Sequence, residues 1–329
     1  MLPKNIDFNS RLVYHLVSLI PKGKVLTYGK VAEILLIKSP RLIGKILHQN
    51  KNPKKVPCHR VVFANGCLSR SYAFGKLKGQ YLRLKTEGVK LHFANSYIQE
   101  RAKVNLEKSL WQVSEVLKIY FFLLKNFGFP GFWPWFEASK FSTKEEIVIE
   151  SILTQNTSWK NVEKAMINLK KKGLNNLKSI YVFGQKKLKE LKNLIRPAGF
   201  FNQKGERLFL LAQFIIEGHG GLERFSKLSL QKARDQLLKQ KGVGKETADT
   251  ILLYALEKPI FVIDSYTQRF AERYFLQSLK KETDYRKILK SYDLLQNFFM
   301  KNLPNDLFLF QNYHALIVKW GKNIRFYSK

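Results

Sequence analysis

Two short stretches of this 329-residue chain hold residue types able to make or break covalent bonds. The first is Val56-Pro57-Cys58-His59-Arg60-Val61-Val62. A thiol attacks as the thiolate, and an ordinary cysteine is mostly protonated near neutral pH, so a base must take its proton. His59 adjoins Cys58, yet neighbouring side chains on a helix diverge, so a direct hand-over is not expected. The second stretch reads Gln240-Lys241-Gly242-Val243-Gly244-Lys245-Glu246-Thr247-Ala248, then an apolar segment, then Ile263-Asp264-Ser265-Tyr266. Two glycines around one small apolar residue make a tight turn ahead of a helical pattern. The backbone N–H groups of Gly242, Val243 and Gly244 at a helix start suit a phosphate. Asp264 lies 20 residues past Gly244. Its position before a helical pattern suits an N-cap, and a fixed carboxylate there also stabilises developing positive charge or orients a water.

Helical periodicity dominates the elements that must position these groups. Residues 10–20 have helical spacing and stop at Pro21-Lys22-Gly23, and the patterns at 30–36 and 40–49 suit a helix-turn-helix unit. Residues 96–111 read as a charged connection. Residues 113–127 form an apolar helical stripe, followed by an aromatic loop from Gly128 to Trp135 punctuated by Gly and Pro. Residues 147–169 read as one strong amphipathic helix, and the pattern stays helical to Lys329 without repeats. The expected fold is therefore mainly α, with domains at 1–95 and 112–329 joined by a linker at 96–111.

The bulk numbers narrow the partner. Net charge is +33, from 58 basic and 25 acidic residues, which favours a polyanion and nucleic acid before membrane. Residues 1–95 carry 18 basic against 3 acidic residues, so both halves are basic. Cys58 and Cys67 are the two cysteines, too few for a disulfide framework, a four-cysteine zinc site or a four-cysteine iron–sulfur cluster. No signal peptide opens the chain, and the longest apolar run, near residues 119–124, is far short of a membrane span. A cytoplasmic monomer without cofactor or metal, associated with the nucleoid through DNA, is expected.

Pro57-Cys58-His59-Arg60, with Tyr72-Ala73-Phe74-Gly75, Thr86-Glu87-Gly88-Val89, Ile20-Pro21-Lys22-Gly23, Tyr28, Arg41 and Asn50, resembles the active-site domain of O6-alkylguanine-DNA alkyltransferases over most of residues 10–90. The resemblance implies a winged helix-turn-helix-like domain. In it Cys58 accepts an alkyl group, and His59 takes the thiol proton through a bridging water. Glu87 then orients the histidine. It also implies that Arg41 fills the gap left by a flipped guanine, Tyr28 helps rotate the nucleotide, Asn50 holds the thiol loop and Tyr72 contacts the base. The family usually carries an α/β domain ahead of this one, and here the motif domain begins almost at Met1. Each residue also has a plainer role: Arg41 a phosphate contact, Glu87 a solvated helix residue, Tyr72 core.

The Gly242-Val243-Gly244 turn with Asp264 resembles the helix-hairpin-helix and catalytic aspartate of the endonuclease III superfamily of DNA glycosylases, an all-α fold. The resemblance implies that Asp264 faces a flipped nucleotide and stabilises the oxocarbenium-like charge formed as the base leaves. It implies that Gln155, in Leu153-Thr154-Gln155-Asn156-Thr157, fills the hole in the duplex, with a turn-stabilising glutamine as the plainer alternative. Arg196-Pro197-Ala198-Gly199 to Lys204 matches a helix junction that positions DNA-facing elements. Bifunctional members carry a Schiff-base lysine where this chain has Glu246, and Lys245 is turned roughly 100° away on a helix. The chain also ends without the family's cysteine ladder. These departures resemble monofunctional 3-methyladenine DNA glycosylases, for which Phe132, Trp133 and Trp159 would form an aromatic pocket for cationic purines. The expected function is repair of double-stranded DNA carrying alkylated bases, by alkyl transfer and by base excision. The rivals are a glycosylase with lyase activity on oxidised or mismatched pyrimidines, and an N-terminal domain that only binds damage.

Overall fold

The first helix, α1 (Phe8–Ser18), is started by Asp7, whose carboxylate accepts from the Ser10 N–H at 3.1 Å. The computed structural model describes residues 6–93, 102–130, 135, 142–279 and 285–324. The chain divides into two compact units, 1–128 with 301–304, and 129–300 with 305–329.

In the first unit, α1 buries Leu12, Val13, Leu16 and Val17. The Tyr14 hydroxyl donates to Ile46 O at 3.0 Å and so ties α1 to α3. Strand β1 (Leu26–Thr27) ends in Thr27, whose hydroxyl caps α2 (Tyr28–Ile34). Pro40 then opens α3 (Pro40–His48). Strand β2 (Val61–Val62) runs parallel to β1, with Leu26 opposite Val61 and Thr27 opposite Val62. Helix α4 (Lys76–Thr86) follows Gly75, whose φ of +96° a side-chain-bearing residue would adopt only under strain. Val25, Val62, Leu68, Tyr81, Leu84 and Val104 close the core beneath it.

Two expectations about the middle of the chain are corrected. Residues 102–111 are part of the first unit rather than a connection. Strand β4 (Ala102–Val104) pairs antiparallel with β3 (Leu91–Phe93), and α5 (Leu106–Ser109) leads Leu110 to a bridge with Val25. Helix α6 (Glu115–Phe127), expected to open the second domain, also packs in the first unit. Its Tyr120 is fully buried, with the hydroxyl 2.8 Å from His15 Nε2, and Phe121 packs on the same imidazole.

Helices joined by turns and loops make up the second unit, with no strand among its described residues. The expected single helix at 147–169 is broken into α7 (Lys144–Leu153) and α8 (Trp159–Lys171). Asn156 takes a left-handed φ of +50° between them, a conformation that asparagine tolerates better than most residues. The buried Lys204 ammonium donates to Leu153 O at 2.8 Å and Ala198 O at 2.7 Å, capping α7 where it stops. Lys204 lies on α10 (Phe201–His219), which follows α9 (Leu177–Leu194) and the short turn Arg196–Ala198. Helices α11 (Leu222–Ser226) and α12 (Leu230–Leu238) lead into the Gly242–Gly244 turn. Helix α13 (Lys245–Thr250) then continues as one π-helical turn, Ile251–Ala255. Beyond it come α14 (Ser265–Leu279), α15 (Tyr285–Lys290), α16 (Tyr292–Asn302) and α17 (Leu307–Ile324). Phe261 stacks on Phe299 at 4.4 Å and meets Phe310 and Tyr313 edge-on, fixing the segment before Asp264 to α16 and α17. Among the described residues no helix is long and apolar enough to cross a membrane.

Candidate active sites

In the first unit, Cys58 opens a single 3₁₀ turn, Cys58–Arg60, at the wall of a cavity of about 1090 Å³. Tyr28, Arg41, Phe63 and Tyr72 line the same cavity. Cys58 is only 4% exposed, and burial pushes its thiol up. Hydrogen bonding pulls part of that back, foremost from Asn50, whose Nδ2 reaches Sγ at 3.2 Å. The same amide donates to Val56 O at 2.9 Å, so Asn50 clamps the entry to the turn.

His59 turns one ring nitrogen to Glu87, with Nε2 2.8 Å from Oε1. Arg60 grips that carboxylate with a fork, Nε to Oε2 at 2.8 Å and Nη2 to Oε1 at 2.7 Å, and reaches Ile20 O with Nη1. Burial alone would raise the Glu87 carboxyl, but the bonds from Arg60 and His59 outweigh it and hold it at about 2. Burial lowers the His59 pKa despite the carboxylate beside it. The buried Nδ1 of His59 has no hydrogen-bond partner among the described residues.

Sequence reasoning gave no role to Arg60 and missed Gln80. Gln80 is fully buried on α4. Its Nε2 donates to His59 O at 3.1 Å and Val61 O at 3.0 Å, and its Oε1 accepts from Ser69 N at 2.7 Å. No periodic signal marked Gln80: it lies one step, roughly 100° round the helix, from the buried Tyr81, and its partners are 19 and 21 residues back in the chain.

In the second unit a cavity of about 720 Å³ is bordered by Asp264, Glu246, His314, Gln155, Trp135 and Trp159. Asp264 precedes α14 and caps it: Oδ1 accepts from the Thr267 N–H at 2.7 Å and hydroxyl at 2.8 Å. Oδ2 is turned to His314, 3.6 Å from Nε2. His314 in turn has Nδ1 2.8 Å from the Tyr254 hydroxyl. Burial would raise the Asp264 carboxyl, but His314 and Thr267 more than offset it, so the group stays ionised at neutral pH. Capping and cavity-facing roles are thus compatible, with one oxygen for each. Glu246, open to the cavity, is shifted the other way, by the surrounding protein and by the negative charge of Asp264.

Lys245 does not join this site, because its Nζ pairs with Asp293 Oδ2 at 2.5 Å. Lys322 on α17 does border the cavity, and sequence reasoning missed it along with His314. Gln155 is engaged with the hairpin: Nε2 donates to Gly242 O at 2.9 Å and Thr247 Oγ1 at 3.1 Å, and Oε1 accepts from Arg207 Nη1 at 2.8 Å.

The hairpin turn is less uniform than expected. Gly242 has φ of +79°, and a Cβ there would meet Arg207 Nε at 2.2 Å. Gly244 is an extended cap of α13, where a Cβ would meet nothing within 4 Å. Val243 is buried, and its N–H, expected to be bare, donates to Gln240 O at 3.1 Å. Of the expected aromatic pocket, Trp159 borders the cavity, while Phe132 and Trp133 lie outside the described residues. Trp135 packs edge-on against Trp159, with ring centres 5.7 Å apart.

Residues 8–89 match the family of the 6-O-methylguanine DNA methyltransferase, DNA-binding domain. Residues 149–293 match the HhH-GPD superfamily of base-excision DNA repair proteins. A Methanocaldococcus jannaschii protein provisionally named a DNA repair glycosylase is 44% identical over 209 residues, 63% of this chain and 87% of that one. A methylated-DNA–protein-cysteine methyltransferase of Saccharolobus islandicus is 44% identical over 80 residues, 24% of this chain and half the length of that relative. Among solved structures, the H. pylori 3-methyladenine DNA glycosylase bound to 1,N6-ethenoadenine has 31% identity. That match covers 64% of this chain and 97% of the other, with a TM-score of 0.51.

Proposed function

The chain belongs to the HhH-GPD superfamily of base-excision DNA repair proteins and carries an alkyltransferase DNA-binding domain ahead of it; from that premise we propose that it repairs alkylated double-stranded DNA in two ways. In the first unit, Cys58 Sγ attacks the alkyl carbon of an O6-alkylguanine, the C–O6 bond breaks, and the alkyl group stays on sulfur. The thiol proton passes toward His59 Nδ1, and the guanine left by the broken bond takes up a proton from solvent, so that it is restored in its neutral form. Glu87 is ionised and only accepts, so it holds the His59 proton on Nε2 and leaves the lone pair of the neutral ring on Nδ1. Each protein molecule turns over once.

In the second unit, a flipped alkylated purine leaves as water attacks the sugar carbon, yielding free base and an abasic strand. The ionised Asp264 stabilises the cationic sugar and orients the water. N-alkylation places positive charge on the purine and weakens the glycosidic bond, so no strong general acid is required. This excision is hydrolytic and leaves the strand uncut.

The observation that carries the hydrolytic reading is the carboxylate of Glu246 at the cavity, in the position of the Schiff-base lysine, with Lys245 paired to Asp293 instead. Borohydride trapping on abasic DNA tests it. The wild-type chain is expected to give no covalent adduct. An adduct lost on changing Lys322, the lysine bordering the cavity, would establish a lyase instead.

A further inference from the structure

Behind the cavity wall lies a carboxylate with no part in the chemistry above. Glu150, on α7, is 4% exposed. Its Oε2 accepts from Trp135 Nε1 at 2.8 Å, and its Oε1 accepts from Ser142 Oγ at 3.1 Å. Trp135 is 7% exposed and borders the Asp264 cavity. Its ring packs against both Trp159 and Tyr254, at centroid distances of 5.7 and 5.4 Å. Tyr254 is itself hydrogen-bonded to His314, the neighbour of Asp264. A buried carboxylate thus holds, through one indole N–H, an aromatic wall of the site that would receive the base.

A carboxylate on an indole N–H does more than fix the ring. Hydrogen bonds polarise their partners in a low-dielectric interior, and an anion accepting the N–H bond pushes electron density back onto the indole. The ring face attracts cations in proportion to that density. A neutral partner fixes the ring equally well but lacks the charge. Resting on the reading of the second unit as a glycosylase for alkylated purines, we propose that Glu150 is a positioning residue that sets the cavity's preference for positively charged bases through the Trp135 indole.

The carboxyl is poised for this role to depend on pH. Burial pushes it up to about 7, against the pull of the Trp135 and Ser142 hydrogen bonds. The charged groups facing it are Glu146, which raises it further, and Lys170, which lowers it; these two also pair with one another at 2.9 Å. Above neutral pH the carboxylate is ionised and the wall attracts cations most strongly. Below it the carboxyl is neutral, the fixing bonds persist, and the extra attraction is lost. A bound cationic base in turn favours the ionised form.

The experiment measures KM and kcat of the full chain between pH 6 and pH 8. The substrates are DNA carrying 3-methyladenine, a fixed cation, and DNA carrying neutral 1,N6-ethenoadenine. For the cationic lesion, KM is expected to fall about threefold to tenfold as pH rises through 7, with kcat less affected. Glu150→Gln, whose amide oxygen still accepts from the Trp135 N–H while its NH2 donates to Ser142 Oγ, is expected to hold KM at its acid-side value throughout. The neutral lesion, where excised, serves as the control and is expected to respond to neither pH nor substitution in this way. Trp135→Phe, which lacks the N–H, is expected to remove the pH response with Glu150 intact. A wild-type pH response surviving in Glu150→Gln, or an equal loss on both lesions at every pH, would overturn the proposal while leaving the glycosylase reading in place. Excision of neither lesion by the wild-type chain would overturn both.

Discussion

His59 Nε2 lies 2.8 Å from Glu87 Oε1, while the other ring nitrogen, Nδ1, is buried without a partner among the described residues. The carboxylate therefore decides which nitrogen can accept a proton. Arg60 strengthens the arrangement by keeping Glu87 ionised, and Gln80 holds the backbone of the same turn. The histidine next to Cys58 thus has its tautomer fixed from behind.

Glu87→Gln tests that relationship by stability as well as by activity. With the Glu87 pKa lowered from 4.5 to about 2, the ionised group stabilises the fold above pH 4.5, and the contribution fades as pH falls toward 2. The substitution should cost on the order of 2–3 kcal/mol near pH 7 and little near pH 2. Thermal melts across that range check it. Equal cost at every pH would mean that Glu87 acts through packing alone.

Cys58 should gain one methyl group after incubation with DNA carrying O6-methylguanine, read as a mass increase in the peptide that contains it. Cys58→Ala should abolish the gain. Cys67 is a half-buried free thiol without the Asn50 clamp and should stay unmodified. Methylation chiefly at Cys67, or at neither, would remove alkyl transfer from the first unit.

The candidate sites were legible in the sequence because Pro57-Cys58-His59-Arg60 and Gly242-Val243-Gly244 are short contiguous motifs that can be read without distant contacts. Their supports were not. His314 meets Asp264 across 50 residues, and Trp135 meets Glu150 through a bond that no periodicity encodes. The break after Leu153 was hidden because apolar spacing runs on through both helices, and the turn between them hinges on the left-handed Asn156. Strand β4 is three residues long, too short for alternation to declare itself. The apolar stripe of α6 shows that it packs, not which unit it packs in.

The two hairpin glycines should respond differently. At Gly242 a methyl group meets both an unfavourable φ and the Arg207 side chain, so Gly242→Ala should destabilise the second unit by about 1–3 kcal/mol. At Gly244 the methyl group meets only open space. Gly244→Ala should therefore leave the melting temperature nearly unchanged and weaken DNA binding if phosphate approaches there. Equal destabilisation by both would contradict the geometry of the turn.

The last prediction separates charge from shape at Asp264. Asp264→Asn keeps the side chain's size and leaves an oxygen to cap Thr267, while removing the negative charge that faces the cavity. If that charge stabilises the cationic sugar, excision of 3-methyladenine should fall by about a hundredfold or more, the scale observed when one electrostatic stabiliser is lost. Lesion binding should persist, since the hairpin backbone and the aromatic wall are untouched. Glu246 provides an internal check. Its carboxyl is raised partly by the negative charge of Asp264, so removing that charge should lower it, visible as an acid-side shift in any titration that reports Glu246. Full excision by Asp264→Asn would remove Asp264 from the chemistry. Lost excision with no movement of Glu246 would mean that the two carboxyls do not share a field, and that the substitution acted by disturbing the cap of α14 instead.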